Sequence, residues 1–173
     1  MMTSIKVIQW DITEQDTDAI VNSANPRLSP WWWISGSIHQ KAWIQLTSEL
    51  NQIIKKTKKW FLETGDAIIS HWWDLMAQYI IHTVWPKYTV HWSNWAELLE
   101  RCYNSCLDIA LKNWIKSISF PSISTGIYWC PIEYCSKIAV NTVKDFTNKH
   151  IEIEEVRFIL FSEKDYETYK TLV

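Results

Sequence analysis

An alternation of strand-length and helix-length apolar patterns, running from residue 65 to the end of the chain, constrains the fold more than any other feature. "GDAIISH" (65–71) and "QYIIHTV" (78–84) are short runs rich in isoleucine and valine, and both read as core strands. "AELLERCYNSCLDIALK" (96–112) repeats its apolar residues at helical period and ends in lysine, which suits the negative end of a helix dipole. "IKSISFPSI" (115–123) reads as a strand entering a loop, "PIEYCSKIAVNTVKDFTNK" (131–149) as a helix with proline in its first turn, "EVRFILF" (155–161) as a strand, and "EKDYETYKTL" (163–172) as a final helix. Upstream, "SIKVIQ" (4–9) and "AIVNSA" (19–24) are strands separated by a polar turn that opens with "DIT". A helix then begins near Ser35 and continues through "SIHQKAWIQL" and "SELNQIIKKTKK". Strands alternating with helices of this length predict an α/β layered fold on a mostly parallel sheet.

At 173 residues the chain fits one domain, 1–173, with no repeat, linker or low-complexity tract. A net charge of −2 supplies no basic field, so nucleic acid is not an expected partner. No apolar run is long enough to span a bilayer, and the start "MMTSIKVIQ" lacks the apolar core of a signal peptide, so the expected location is the cytoplasm, without membrane association. Cys102, Cys106, Cys130 and Cys135 show neither C-x-x-C spacing nor a dense disulfide framework. Cys102 and Cys106 share one helix face, most simply the buried one, and no metal site is expected.

Two counts are abnormal: 13 tryptophans and 3 glycines. Average glycine usage of about 7% would give roughly a dozen in such a chain. The tryptophans cluster where a chain wants a residue tolerant of positive φ: "NW" (113–114) before a strand, "SNW" (93–95) before a helix, "HWWD" (71–74) after a strand. Three stand in a row at Trp31, Trp32 and Trp33.

In open α/β sheets ligands bind beyond the carboxyl ends of the strands, so the exits "WDIT" (10–13), "NSANPRLSPWWWISG" (22–36) and "SISTGIYWCP" (122–131) are the places to look. Ser124, Thr125 and Gly126 can offer hydroxyls and backbone N–H groups to a phosphate ahead of a helix, although a capped loop needs no ligand to explain it.

Taken together, "WDIT", "NSANPRLSPWWWISGSIH", "IHTVWP" and "PSISTGIYWCP" resemble, in order and over nearly the whole chain, the motifs of the macrodomain family. Those motifs are a Gly-Asp-Ile opening, Asn-x-x-Asn before a triple glycine, His-Thr-Val-Gly-Pro, and Ser-Thr-Gly-Ile-Tyr-Gly. The resemblance implies a three-layer α/β/α fold with a mixed, mostly parallel sheet. It also implies binding of ADP-ribose or an ADP-ribosylated protein by a monomer without a further cofactor, and possible hydrolysis of ADP-ribosyl or O-acetyl-ADP-ribose linkages. Carried over, Asp11 would accept from the adenine amino group beside Ile12, and Asn25 would bind the distal ribose as the candidate catalytic residue, supported by Asn22. Ser124, Thr125, Gly126, Ile127 and Tyr128 would cradle the phosphates, and Phe161 would stack on adenine. Read from the residues alone, the alternatives stay open: a helix or turn cap at Asp11, an asparagine that simply holds a turn at Asn25, and a plain core phenylalanine at Phe161; His39 and His82 read as structural. Where hydrolytic members often carry an aspartate two places after the triple glycine, this chain has Ser35, which cannot act as a carboxylate base. Trp31, Trp32, Trp33 and Trp129 fall on family glycines, as do Trp10 and Trp85, a pattern of glycine-to-tryptophan replacement that would obstruct the ribose and diphosphate space. Two further readings are an aromatic-rich module for glycans or single-stranded nucleic acid, and an engineered sequence that binds no ligand.

Overall fold

The computed structural model describes residues 2–30, 34–57, 59–71, 74–91, 93–123 and 130–173, leaving aside the side chains at 34, 36, 39 and 42–44. Six strands form one sheet: β1 (Ser4–Gln9), β2 (Ala19–Ala24), β3 (Ala67–His71), β4 (Tyr79–Val84), β5 (Ser117–Pro121) and β6 (Glu155–Leu160). They lie side by side in the order β1-β6-β5-β2-β4-β3. Every neighbouring pair is parallel except β3 with β4, so the sheet is mixed and mostly parallel as expected.

Strand alternation splits the core into two layers, because successive side chains leave opposite faces. Ala19 and Val21 of β2, with Val156, Phe158 and Leu160 of β6, pack under α2 (Trp95–Lys112) and α3 (Ile132–Thr147). Ile20 and Ile159 turn the other way and meet Ile38, Leu46, Leu50 and Ile54 of α1 (Ile34–Lys56). The short α4 (Glu163–Lys170) closes the first layer through Tyr169, which sits 5.1 Å from the ring of Phe158. α2 shows why its sequence had to be helical: Leu99, Cys102, Tyr103, Cys106, Leu107 and Ala110 recur at three and four and are all buried. The segment Ile34–Lys56, which includes Ser35, is one helix of 23 residues.

The "DIT" turn is a 3-10 turn over Ile12–Glu14 with Asp11 as its cap. Pro131 stands just before α3 as its N-cap, one place earlier than a first-turn proline. Cys130 and Cys135 are joined by a disulfide, a pairing that their spacing of five had not suggested. Cys102 and Cys106 are free and buried; burial pushes the Cys102 thiol up to about 12 and that of Cys106 upward too, so both stay protonated. Among the described residues no helix is long and apolar enough to cross a membrane.

Candidate functional site

Because β1, β6, β5, β2 and β4 are all parallel, their carboxyl ends share one rim, and the topology sets the order of what stands on it. Asp11 follows β1, Phe161 follows β6, the loop from Ser122 follows β5, Asn25 follows β2 and Trp85 follows β4. Asp11 and Phe161 therefore stand at the ends of adjacent strands. The chains are tied there by Trp10 N–H donating to Leu160 O at 3.2 Å and Gln9 Nε2 to Phe161 O at 3.5 Å. Asn25 stands three strand spacings from β1, roughly 14 Å at about 4.8 Å per strand.

Asp11 caps the 3-10 turn, one of the two readings that the residues leave open. Its Oδ1 accepts from Thr13 N at 2.8 Å and Thr13 Oγ1 at 2.7 Å, which fixes the carboxylate at the mouth of a cleft of about 580 Å3 shared with Ser37, Gln40, Lys41 and Asp74. Ile12 is buried beneath it. Phe161 departs from the plain reading of a core phenylalanine: it is 91% exposed. Strand parity puts it on the same side as Ile159, but beyond the last residue of β6, so nothing of α1's apolar face covers it.

Asn25 makes a closed turn. Its Oδ1 accepts from Arg27 N at 3.0 Å, and its Nδ2 donates to Ser29 O at 2.9 Å and Ser29 Oγ at 3.1 Å. Asn22 is fully buried, and its Nδ2 faces His82 Nδ1 at 3.0 Å, while Ser70 Oγ faces the other ring nitrogen at 2.8 Å. With Asn22 Nδ2 as a donor, Nδ1 must accept and Nε2 must carry the proton toward Ser70, so the chain of contacts selects one neutral tautomer. The same Nδ2 lies 3.5 Å from Ser35 Oγ and ties β2 to the start of α1. Ser35 is buried, and a hydroxyl in that place offers no carboxylate to activate water. His82 is structural, as expected.

Ser124, Thr125, Gly126, Ile127 and Tyr128, with Trp129 and Trp31–Trp33, lie outside the described residues, as does the side chain of His39. Sequence reasoning missed two groups beside the rim. One is Ser37, Gln40, Lys41 and Asp74 around Asp11. The other is a second cleft of about 580 Å3 next to Asn25, where Arg27 and Lys87 give a cationic lining beside His91. The signal for the second was the exit of β4, which is equivalent to the other exits because β4 runs parallel to β2. Among the described residues no group of three or more His, Cys, Asp or Glu is placed to hold a metal.

The macro domain family model matches residues 21–139. A macro domain-containing protein of Listeria monocytogenes is 38% identical over 171 residues, 98% of this chain and 96% of that one. An O-acetyl-ADP-ribose deacetylase of Salmonella gallinarum is 38% identical over 173 residues, 100% of this chain and 96% of that one. The Oceanobacillus iheyensis macrodomain, solved with ADP, superposes with a TM-score of 0.92 at 35% identity, covering 95% of this chain and 87% of that one. A glycine-to-valine mutant of the same macrodomain was solved with ADPR. On the matched family model and these relatives, the chain belongs to the macro domain family.

Proposed function

We propose that the rim binds ADP-ribose, with the base at the Asp11–Phe161 end and the distal ribose at Asn25, and that the fold serves hydrolysis of groups carried on that ribose. The supporting observation is Phe161, an aromatic ring 91% exposed on the strand beside the fixed carboxylate of Asp11. A flat apolar face next to a hydrogen-bond acceptor suits a purine whose exocyclic amine is a donor. From there to Asn25 the distance of roughly 14 Å suits an elongated dinucleotide-like ligand lying across β6, β5 and β2. The loop 124–128 would then meet the diphosphate, through N–H groups and the hydroxyls of Ser124 and Thr125.

In this chain the same loops carry Trp31, Trp32, Trp33 and Trp129, and we take them to weaken or abolish binding. A valine in place of one glycine leaves ADPR bound in the Oceanobacillus protein, so the weight falls on the indole rings and their number rather than on a Cβ alone. Turnover by residue 35 acting as a base is not part of the reading, since Ser35 is buried and bonded to Asn22. The aromatic-platform reading fares worse: Trp10 follows β1 at the carboxyl rim whereas Trp114 precedes β5 at the opposite edge, so these rings do not line one track.

Calorimetric titration of ADP-ribose into this chain and into one with Trp31, Trp32, Trp33 and Trp129 replaced by glycine tests both halves. Micromolar binding to the second and no heat from the first is the expected result. Silence from the glycine chain would refute the ligand class, and micromolar binding to the present chain would refute the obstruction.

A further inference from the structure

The end of α2 shows what kind of residue its turn was built for. Trp114 has φ +58, and Asn113 is the helix C-cap. Ile115 N–H donates to Ala110 O at 3.0 Å while Trp114 N–H donates to Leu111 O at 3.3 Å. This is the paired 6→1 and 5→2 closure in which the residue after the cap takes the left-handed conformation, a place occupied most often by glycine. Trp114 contributes nothing by its ring there: it is 88% exposed. Trp60, in the turn after α1, likewise has positive φ, +61, and is 64% exposed. Among the described residues only four that are not glycine have positive φ, and two of them are tryptophan. A residue with a Cβ is strained in that conformation, and bulky aromatic side chains have no compensating local hydrogen bond as Asn or Asp do.

Trp95 fails in a different way. It is buried at the start of α2, stacked 5.7 Å from Tyr134, yet its Nε1 finds no acceptor among the described residues. A buried indole normally has its N–H paired. Thus, of the five tryptophans whose side chains are described, two hold a backbone that glycine favours and a third leaves a donor unpaired in the core. Replacing all thirteen with glycine would bring that residue to 16 of 173, near the dozen that average usage of about 7% gives, and would leave no tryptophan. One of the three glycines that remain, Gly65, has φ +88, and a Cβ there would come within 2.8 Å of Arg101 Cδ.

A substitution that strikes one residue type throughout a chain, in exposed turns and core alike, has the signature of a codon rather than of selection at each site. Glycine is encoded by four codons beginning GG, and UGA differs from one of them in its first base alone. UGA is also a codon whose meaning varies between cells. We infer that the thirteen tryptophan positions are UGA codons that the cell of origin reads as glycine, so that its own protein carries glycine at every one of them. Its ligand loops are then glycine loops, free of the obstruction described above. The inference deepens that reading and leans on it for Trp31–Trp33 and Trp129.

The test has two readouts that do not depend on ligand. In the gene, UGA is expected at all thirteen positions and GG-type codons at Gly36, Gly65 and Gly126; UGG at the thirteen, in a natural or a synthetic gene, overturns the inference. In protein taken from the source cells, the tryptic peptide 113–116 is expected to carry glycine, the intact mass to fall below 20.6 kDa, and the near-ultraviolet emission to be that of tyrosine; a peptide carrying tryptophan overturns it. Failure of the ADP-ribose titration would leave these codons untouched, and UGG codons would leave the ligand class untouched.

Discussion

The body of the sheet and the turns that join its elements are built to different standards in this chain. In the body, Phe120, Phe158, Tyr103 and Tyr169 interlock with ring centroids 5.1 to 6.4 Å apart, and all four are fully buried. In the turns, Trp60 and Trp114 hold positive φ with their rings in solvent, and Trp10, 60% exposed, spends its Nε1 on Glu14 at the surface. The same class of side chain stabilises one region and strains the other. What differs is whether the backbone leaves room for a Cβ, so the turns register a glycine requirement to which the packed interior is indifferent.

The contrast can be broken from the body outward. Phe158→Ala removes a ring from the centre of the aromatic cluster and is expected to cost about 3–5 kcal/mol in urea unfolding. A loss under about 1 kcal/mol would mean the interior is looser than its contacts imply. Asn22→Ala removes the donor to His82 Nδ1 in a fully buried strand position, and an expected loss of about 1–3 kcal/mol is checked the same way. In the glycine-restored chain it should also weaken ADP-ribose binding, because Asn22 links β2 to the start of α1 through Ser35.

The smallest effect sharpens the picture at the sheet's edge. Burial opposes ionisation of Glu155, but hydrogen bonds from Arg157 and Lys6 prevail and hold its carboxyl below the ordinary value of 4.5. Asp16 is held below 3.8 by its hydrogen bond to Arg157. A depressed carboxyl stabilises the fold above its unfolded value and loses that contribution as pH falls through the folded one, so the loss belongs below pH 4.5. Arg157→Gln should lower the neutral plateau by less than about 1 kcal/mol and flatten the acid limb by the same amount, with stability at the acid end nearly unchanged, as expected of partly exposed pairs.

Much of the fold was legible because period and length suffice for elements whose faces are buried. "SIKVIQ" and "AIVNSA" are strands over those very residues, and the 96–112 pattern differs from α2 by one position. Partners were not legible. Asn22 and His82 face each other only because β2 and β4 pair in that register, and no local pattern announces it. Phe161 shows the limit of reasoning by residue type: an aromatic at the end of an apolar run reads as core, yet it stands one place past the strand, where α1 no longer covers it. Asp11 and Asn25 carry local hydrogen bonds that the cap and turn readings anticipated, and their shared rim came only from the topology. The spacing of Cys130 and Cys135 gave no hint of their bond.

At Trp60 and Trp114 tryptophan stands on a backbone that glycine favours, and one comparison tests this with little interference from core packing. Urea unfolding of the Trp60→Gly/Trp114→Gly chain is measured against the Trp60→Ala/Trp114→Ala chain, since both sites are exposed and both have positive φ. The account expects the glycine chain to be the more stable by about 2 kcal/mol, because alanine removes the ring but keeps the Cβ that the left-handed backbone disfavours. An alanine chain as stable as the glycine chain, or more so, would contradict it.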